Sequence, residues 1–154
     1  VALALGLAAL GWSPAVPRAH AASAAEAALV SAVNRARAQH GLPALRVRAS
    51  LARPARAQSV RIAASGRLEH EGPGGAPFWK RLVAAGYPAN RPMAENLAMM
   101  PACGAEAARE AVRGWLASPP HRANMLSSRY RWIGTGVAGD GGCAETYLTA
   151  DFGG

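Results

Sequence analysis

Residues 114–126, GWLASPPHRANML, constrain the fold of this chain more than any other stretch. A helical pattern that reaches Trp115 cannot run on through Pro119 and Pro120, because proline lacks an amide hydrogen and its ring crowds the preceding turn. His121 is thereby set at the start of a short turn leading to Leu126, presented to a surface while Trp115 and Leu126 anchor inside. That makes it the leading functional candidate. Two other stretches can reach it: RLEHEG around His70 and MAENLAMM around Glu95.

The pattern before the break predicts a helix over 105–117, with Ala108, Ala111, Val112 and Trp115 inward and Glu106, Arg109, Glu110 and Arg113 outward. Glu110 and Arg113, three apart, are expected to pair for little energy. Gly114 costs about 1 kcal/mol relative to Ala inside a helix, which points to close packing beside it. Nearer the start, Leu29, Val33 and Ala36 predict the inner face of a helix over 24–40, stopped by Gly41, with Asn34, Arg35, Arg37 and Gln39 outside. His40 in its last turn needs only an electrostatic role. The next segment, 42–45, reads as extended and apolar enough to lie on the core. A second helix over 51–65 is capped by Ser50, carries Pro54 in its first turn and ends at Gly66. A third begins near Pro77, uses Phe78 and Leu82 as anchors and stops at Gly86.

Beyond the proline break, residues 131–138 and 143–152 flank Gly139-Asp140-Gly141-Gly142 and read as a hairpin. Its core donors are Trp132, Ile133, Val137, Tyr147, Leu148 and Phe152. A lone hairpin is marginal in water, so a third strand is required, and residues 93–100 fit best. The fold class expected is α+β, with helices layered on a small, largely antiparallel sheet.

Residues 1–10, VALALGLAAL, have the length of a secretory h-region, and Ala19-His20-Ala21 offers a small-x-small cleavage pattern. The expectation is an export signal over 1–21, lacking its basic n-region, and one domain over 22–154 in an extracellular or periplasmic setting. The apolar run is too short to span a bilayer. In that setting Cys103 and Cys143, the two cysteines present, are expected to pair. The formal net charge of +8 is nearly all arginine, with Lys80 as the single lysine, and favours an anionic partner such as a cell-envelope surface. The arginines form no dense run and do not alternate with Trp or Tyr along the chain, which argues against nucleic acid.

With these motifs in hand, the chain resembles the SCP-like extracellular domain of the CAP superfamily, named for cysteine-rich secretory proteins, antigen 5 and plant pathogenesis-related protein 1. The bacterial branch is the nearer likeness. LVSAVNRARAQHGLPAL resembles the opening helix and LARPARAQS the second. RLEHEG matches the segment bearing the first family histidine, on His70, and ENLA the box bearing the family glutamate, on Glu95. WLASPPHRANML is close to the second histidine box, on His121, and IGTGV and TYLTADFG resemble the last two strands. The resemblance implies a three-layer α/β/α sandwich with a cleft carrying histidines and acids, where some members hold zinc. It departs at Ser118, where eukaryotic members often have a second cleft glutamate, and at Ala94, commonly glycine.

Read chemically, His70 and His121 suit a divalent metal, zinc above all, with Glu95 completing the shell, orienting a histidine or taking a proton from bound water. No HExxH spacing is present to mark a metalloprotease. Asn96 reads as a structural tie, and Arg122 and Asn124 as residues steadying the His121 turn. Simpler readings stay open beside these: a helix-capping His121, a solvated His70 between Glu69 and Glu71, and a Glu95 that accepts backbone hydrogen bonds. A nucleophilic Ser118 with His121 and Glu95 lacks the elbow such serines need. Two functions compete. One is a secreted binding module for a small hydrophobic, lipid or peptide ligand, with or without the metal. The other is a metal-assisted, peptidase-like hydrolase using His70, His121 and Glu95.

Overall fold

Ser23 and Glu26 open helix α1 (Ala24–Gln39) by satisfying each other's amides: Ser23 Oγ accepts from the Glu26 amide at 3.2 Å and the Glu26 carboxylate from the Ser23 amide at 2.8 Å. The structure, a computed structural model, describes residues 23–139 and 142–154; the expected export signal over 1–21 and residues Asp140 and Gly141 of the expected turn lie outside the described residues. Leu29, Val33 and Ala36 are buried, as the periodicity requires. Asn34 and Arg37 are not on the outer face. Asn34 exchanges two hydrogen bonds with the Leu45 backbone, and fully buried Arg37 donates to the carbonyls of Pro43, Met125 and Ser127. These bonds draw residues 42–45 onto the core and fix the chain just after Met125.

The next elements are strand β1 (Arg46–Val47), helix α2 (Ala49–Ser65), helix α3 (Phe78–Ala84) and strand β2 (Met93–Met100). Ser50 does not cap α2. It is the second residue of the helix, its buried hydroxyl has no partner, and Arg48 takes the capping position without a side-chain bond. Pro54 is accordingly in the second turn, where its missing amide leaves the Ser50 carbonyl without a helical donor. Helix α4 (Gly104–Ala117) and helix α5 (Pro119–Met125) are separated only by Ser118, and the two prolines open α5, where an amide is not needed. Glu110 and Arg113 pair as expected. Gly114 is exposed, with nothing within 4 Å of the place a Cβ would occupy, so close packing does not explain it.

Strands β3 (Trp132–Gly139) and β4 (Thr146–Gly153) form the hairpin, and β2 pairs antiparallel with β4, giving the order β1-β3-β4-β2. The short parallel β1 was not foreseen; a two-residue strand carries no period. Alternation along the strands sorts the layers. Ala94, Ala98, Ile133, Leu148, Ala150 and Phe152 pack with Leu29, Val33, Val112 and Trp115 of α1 and α4, while Leu97 and Tyr147 meet Ile62 of α2 on the other face. The result is an α+β fold with helices on both faces of a mainly antiparallel sheet. Helix α2 lies directly on β3: a Cβ at Gly134 would stand 2.1 Å from the Leu51 backbone, and one at Gly136 2.2 Å from the Ala55 carbonyl oxygen. Cys103 and Cys143 are joined in a disulfide that ties the start of α4 to the β3–β4 hairpin.

Candidate functional site

Glu95 and Asn96 are neighbours on β2, so their side chains leave opposite faces of the sheet and fasten different layers. Toward α3, the Glu95 carboxylate is completely buried; one oxygen accepts from His70 Nδ1 at 2.8 Å and the other from the Arg81 guanidinium. Arg81 also donates to the His70 carbonyl at 2.8 Å, closing a three-residue network around the loop after α2. Toward α5, Asn96 donates to the His121 carbonyl at 2.9 Å and accepts from Asn124 at 2.9 Å. Both expected histidines are thus tied to consecutive residues of one edge strand.

Each imidazole is held by one nitrogen. His70 Nδ1 is committed to Glu95, and His121 Nδ1 lies 2.9 Å from Ser118 Oγ. For His70 the carboxylate fixes the tautomer with the proton on Nδ1, leaving the lone pair on Nε2; His121 has the same option when Nδ1 donates to Ser118. Burial lowers the pKa of both rings, and His70 lowers that of His121 further, which places the two within electrostatic reach of each other. The shift favours the neutral ring in both. The His70 side chain is 46% exposed, so its outer edge meets solvent.

The other expected residues divide. Asn124 braces the site, through Asn96 and by donating to the Glu95 carbonyl at 3.4 Å. Arg122 sends its guanidinium the other way, 3.4 Å from His40 Nε2, whose own Nδ1 is bonded to the Ala36 carbonyl. Trp115 anchors beneath, its indole donating to the Leu97 carbonyl at 2.9 Å.

Two residues escaped the sequence reading. Arg81 looks like an ordinary cation on a short helix, yet it is the counter-ion of Glu95. Asp151 stands opposite Glu95 across the β2–β4 pairing, is fully buried, and has no hydrogen-bond partner on either oxygen. Burial pushes its pKa up to about 7, opposed by Arg81 and His70. The signal was present: Asp151 sits inside the apolar run from Tyr147 to Phe152, the same pattern that drew attention to Glu95.

The donor chemistry of the two Nε2 nitrogens fits a divalent cation bound by imidazole and otherwise open to water or ligand. Among the described residues no group of three or more His, Cys, Asp or Glu side chains is placed to hold one. Glu95 has no free oxygen to serve as a third donor.

The sequence profile of the cysteine-rich secretory protein family, CAP, matches residues 30–152. The chain belongs to the CAP family. It is 30% identical over 121 residues to the uncharacterized protein YkwD of Bacillus subtilis (strain 168), a match covering 77% of this chain and 44% of that protein. The CAP chain therefore spans less than half the length of this relative. Among solved structures, an extracellular protein containing an SCP domain from Bacillus anthracis superposes with a TM-score of 0.66 at 26% identity, covering 80% of this chain and 38% of the other. An outer surface protein of Borrelia burgdorferi shares the fold, with a TM-score of 0.67, 19% identity and coverage of 81% and 88%.

Proposed function

We propose that this CAP domain is a binding module acting outside the cytoplasm, in which His70 and His121 hold a divalent metal at a cleft for a small hydrophobic, lipid or peptide ligand. The observation that carries this reading is the state of Glu95: its carboxylate is buried and both oxygens are engaged, so it orients His70 rather than moving a proton. A bound metal would supply Lewis acidity and open coordination positions. The chain's residues supply two lone-pair nitrogens of fixed direction. Export is supported by the Cys103–Cys143 disulfide and by the Bacillus anthracis relative, which is described as extracellular. No helix among the described residues is long and apolar enough to cross a membrane.

A metal-assisted hydrolase needs a carboxylate oxygen facing the cleft, which Glu95 does not present, and binding is the better account. The test is zinc titration calorimetry on the folded domain beside His70→Ala and His121→Ala. Stoichiometric binding weakened about tenfold or more in each variant is expected. Affinity should also fall as pH is lowered and the imidazoles take up protons. No binding by the folded wild type, or binding indifferent to both substitutions, would overturn the metal-holding reading.

A further inference from the structure

The outer strands of the sheet are β1 and β2, so the edge opposite the histidine cleft is β1. There, arginines and aromatic rings that do not alternate in the sequence are brought together by the fold. Arg46 and Arg48 are two apart on extended chain and emerge on one side. Both guanidinium carbons stand 5.3 Å from the Trp132 ring centroid, and that of Arg48 is also 5.3 Å from the Tyr87 ring. The rings are themselves fixed. Tyr87 is buried, donates its hydroxyl to the Gly154 carbonyl at 2.8 Å, and fills the space that a side chain at Gly153 would need.

Stacking pins the two guanidinium groups while leaving their N–H edges unused, because neither has a carboxylate partner among the described residues. Arg91 is a third cation in the neighbourhood: with Arg48 it opposes the burial-driven rise in the Tyr87 pKa. The start of α2 adds to the same field. It has no side-chain cap and no acid in its first turn, and its first amides to find an acceptor are those of Leu51 and Ala52, on the Arg48 carbonyl. In that turn the Ser50 hydroxyl, in a residue only 9% exposed, is unpartnered as well.

We propose that Arg46 and Arg48, held on Trp132 and Tyr87, form a binding site for a phosphate group. A carboxylate is saturated by one bidentate arginine, whereas a tetrahedral phosphate can use two guanidinium forks and a helix amide together. The Trp132 face is already occupied by guanidinium, so the surface offers phosphate contacts without an open ring for a nucleobase. The group can come from a soluble phosphate ester or from a phospholipid headgroup, and the experiment separates these sources.

The test is a proton–nitrogen NMR titration of the domain with sodium phosphate at neutral pH, against sodium chloride of equal ionic strength. Saturable shifts at the Ala49 and Ser50 amides and the Arg46 and Arg48 Nε–H groups are expected with phosphate alone. The folded Arg46→Gln/Arg48→Gln variant should bind about tenfold more weakly or worse, and Arg48→Lys, which keeps the charge but loses the fork, should fall between. Cosedimentation with phosphatidylglycerol vesicles, lost in the double variant and absent with phosphatidylcholine, would identify the headgroup as source. Phosphate binding without cosedimentation would identify a soluble ester. Shifts no larger than those in chloride, or unaltered by the double substitution, would overturn the proposal, and the chloride comparison on the wild type needs no variant to fold.

Discussion

Glu95 and Asp151 face each other across the pairing of β2 and β4, and Arg81 hydrogen-bonds only the first. Two carboxylates paired across strands in the interior, with one guanidinium bonded to only one of them, cannot both ionise cheaply. Glu95 is held as the anion by Arg81 and His70, and Asp151 is the member that keeps its proton, with a pKa raised by burial from 3.8 to about 7.

Stability against pH should report this directly. Below the unfolded-state value near 3.8 both folded and unfolded chains carry the Asp151 proton and it has no effect. As pH rises from there to about 7, the unfolded chain releases that proton while the folded chain retains it, so stability falls, by on the order of 4 kcal/mol in total. Asp151→Asn removes this dependence. Urea denaturation of both proteins at several pH values should show the variant gaining on the wild type from pH 4 to 7; parallel curves would refute the assignment.

Arg81→Ala should be costly for the same reason. It strips the counter-ion from a fully buried Glu95, and breaking a buried pair from one side costs about 3–5 kcal/mol. Because Arg81 also donates to the His70 carbonyl and shares Glu95 with the His70 ring, the environment of that ring should change, visible as a change in its nitrogen chemical shifts. A variant with wild-type stability would show the pair to be dispensable.

At Gly134 the constraint is steric. A methyl group there would sit 2.1 Å from the Leu51 carbonyl carbon, a backbone atom that cannot give way without lifting α2 from the sheet. Gly134→Ala is expected to cost about 3 kcal/mol or more, or to prevent folding. Thermal unfolding decides it.

Gly114 makes the opposite case. It is exposed, helical and without neighbours, so Gly114→Ala should stabilise the domain by about 0.5–1 kcal/mol, measured as a higher Tm. A loss would reveal packing that this surface does not show.

The disulfide spans 40 residues of sequence, a loop whose closure stabilises the fold by about 4 kcal/mol on chain entropy. Cys103→Ser with Cys143→Ser should lower the urea midpoint accordingly, and an unchanged midpoint would contradict this.

Local sequence determined the elements. Apolar spacing set the inner faces of α1 and α4, paired prolines parted α4 from α5, and alternating residues around a glycine turn made the β3–β4 hairpin, because each is decided by contacts within one or two turns of chain. The same local logic, a carboxylate or imidazole out of keeping with its surroundings, singled out Glu95, His70 and His121. Where a residue's environment comes from elsewhere in the chain, local reasoning misjudged it. Arg37 looked solvated but meets carbonyls some 90 positions away, and Ser50 looked like a cap but is the second residue of α2, buried with an unpartnered hydroxyl. Only the tertiary structure set Arg81 on Glu95, Asp151 opposite that glutamate, and Arg48 over both Trp132 and Tyr87, since charge pairing and burial depend on which distant segments share a space rather than on which residues adjoin.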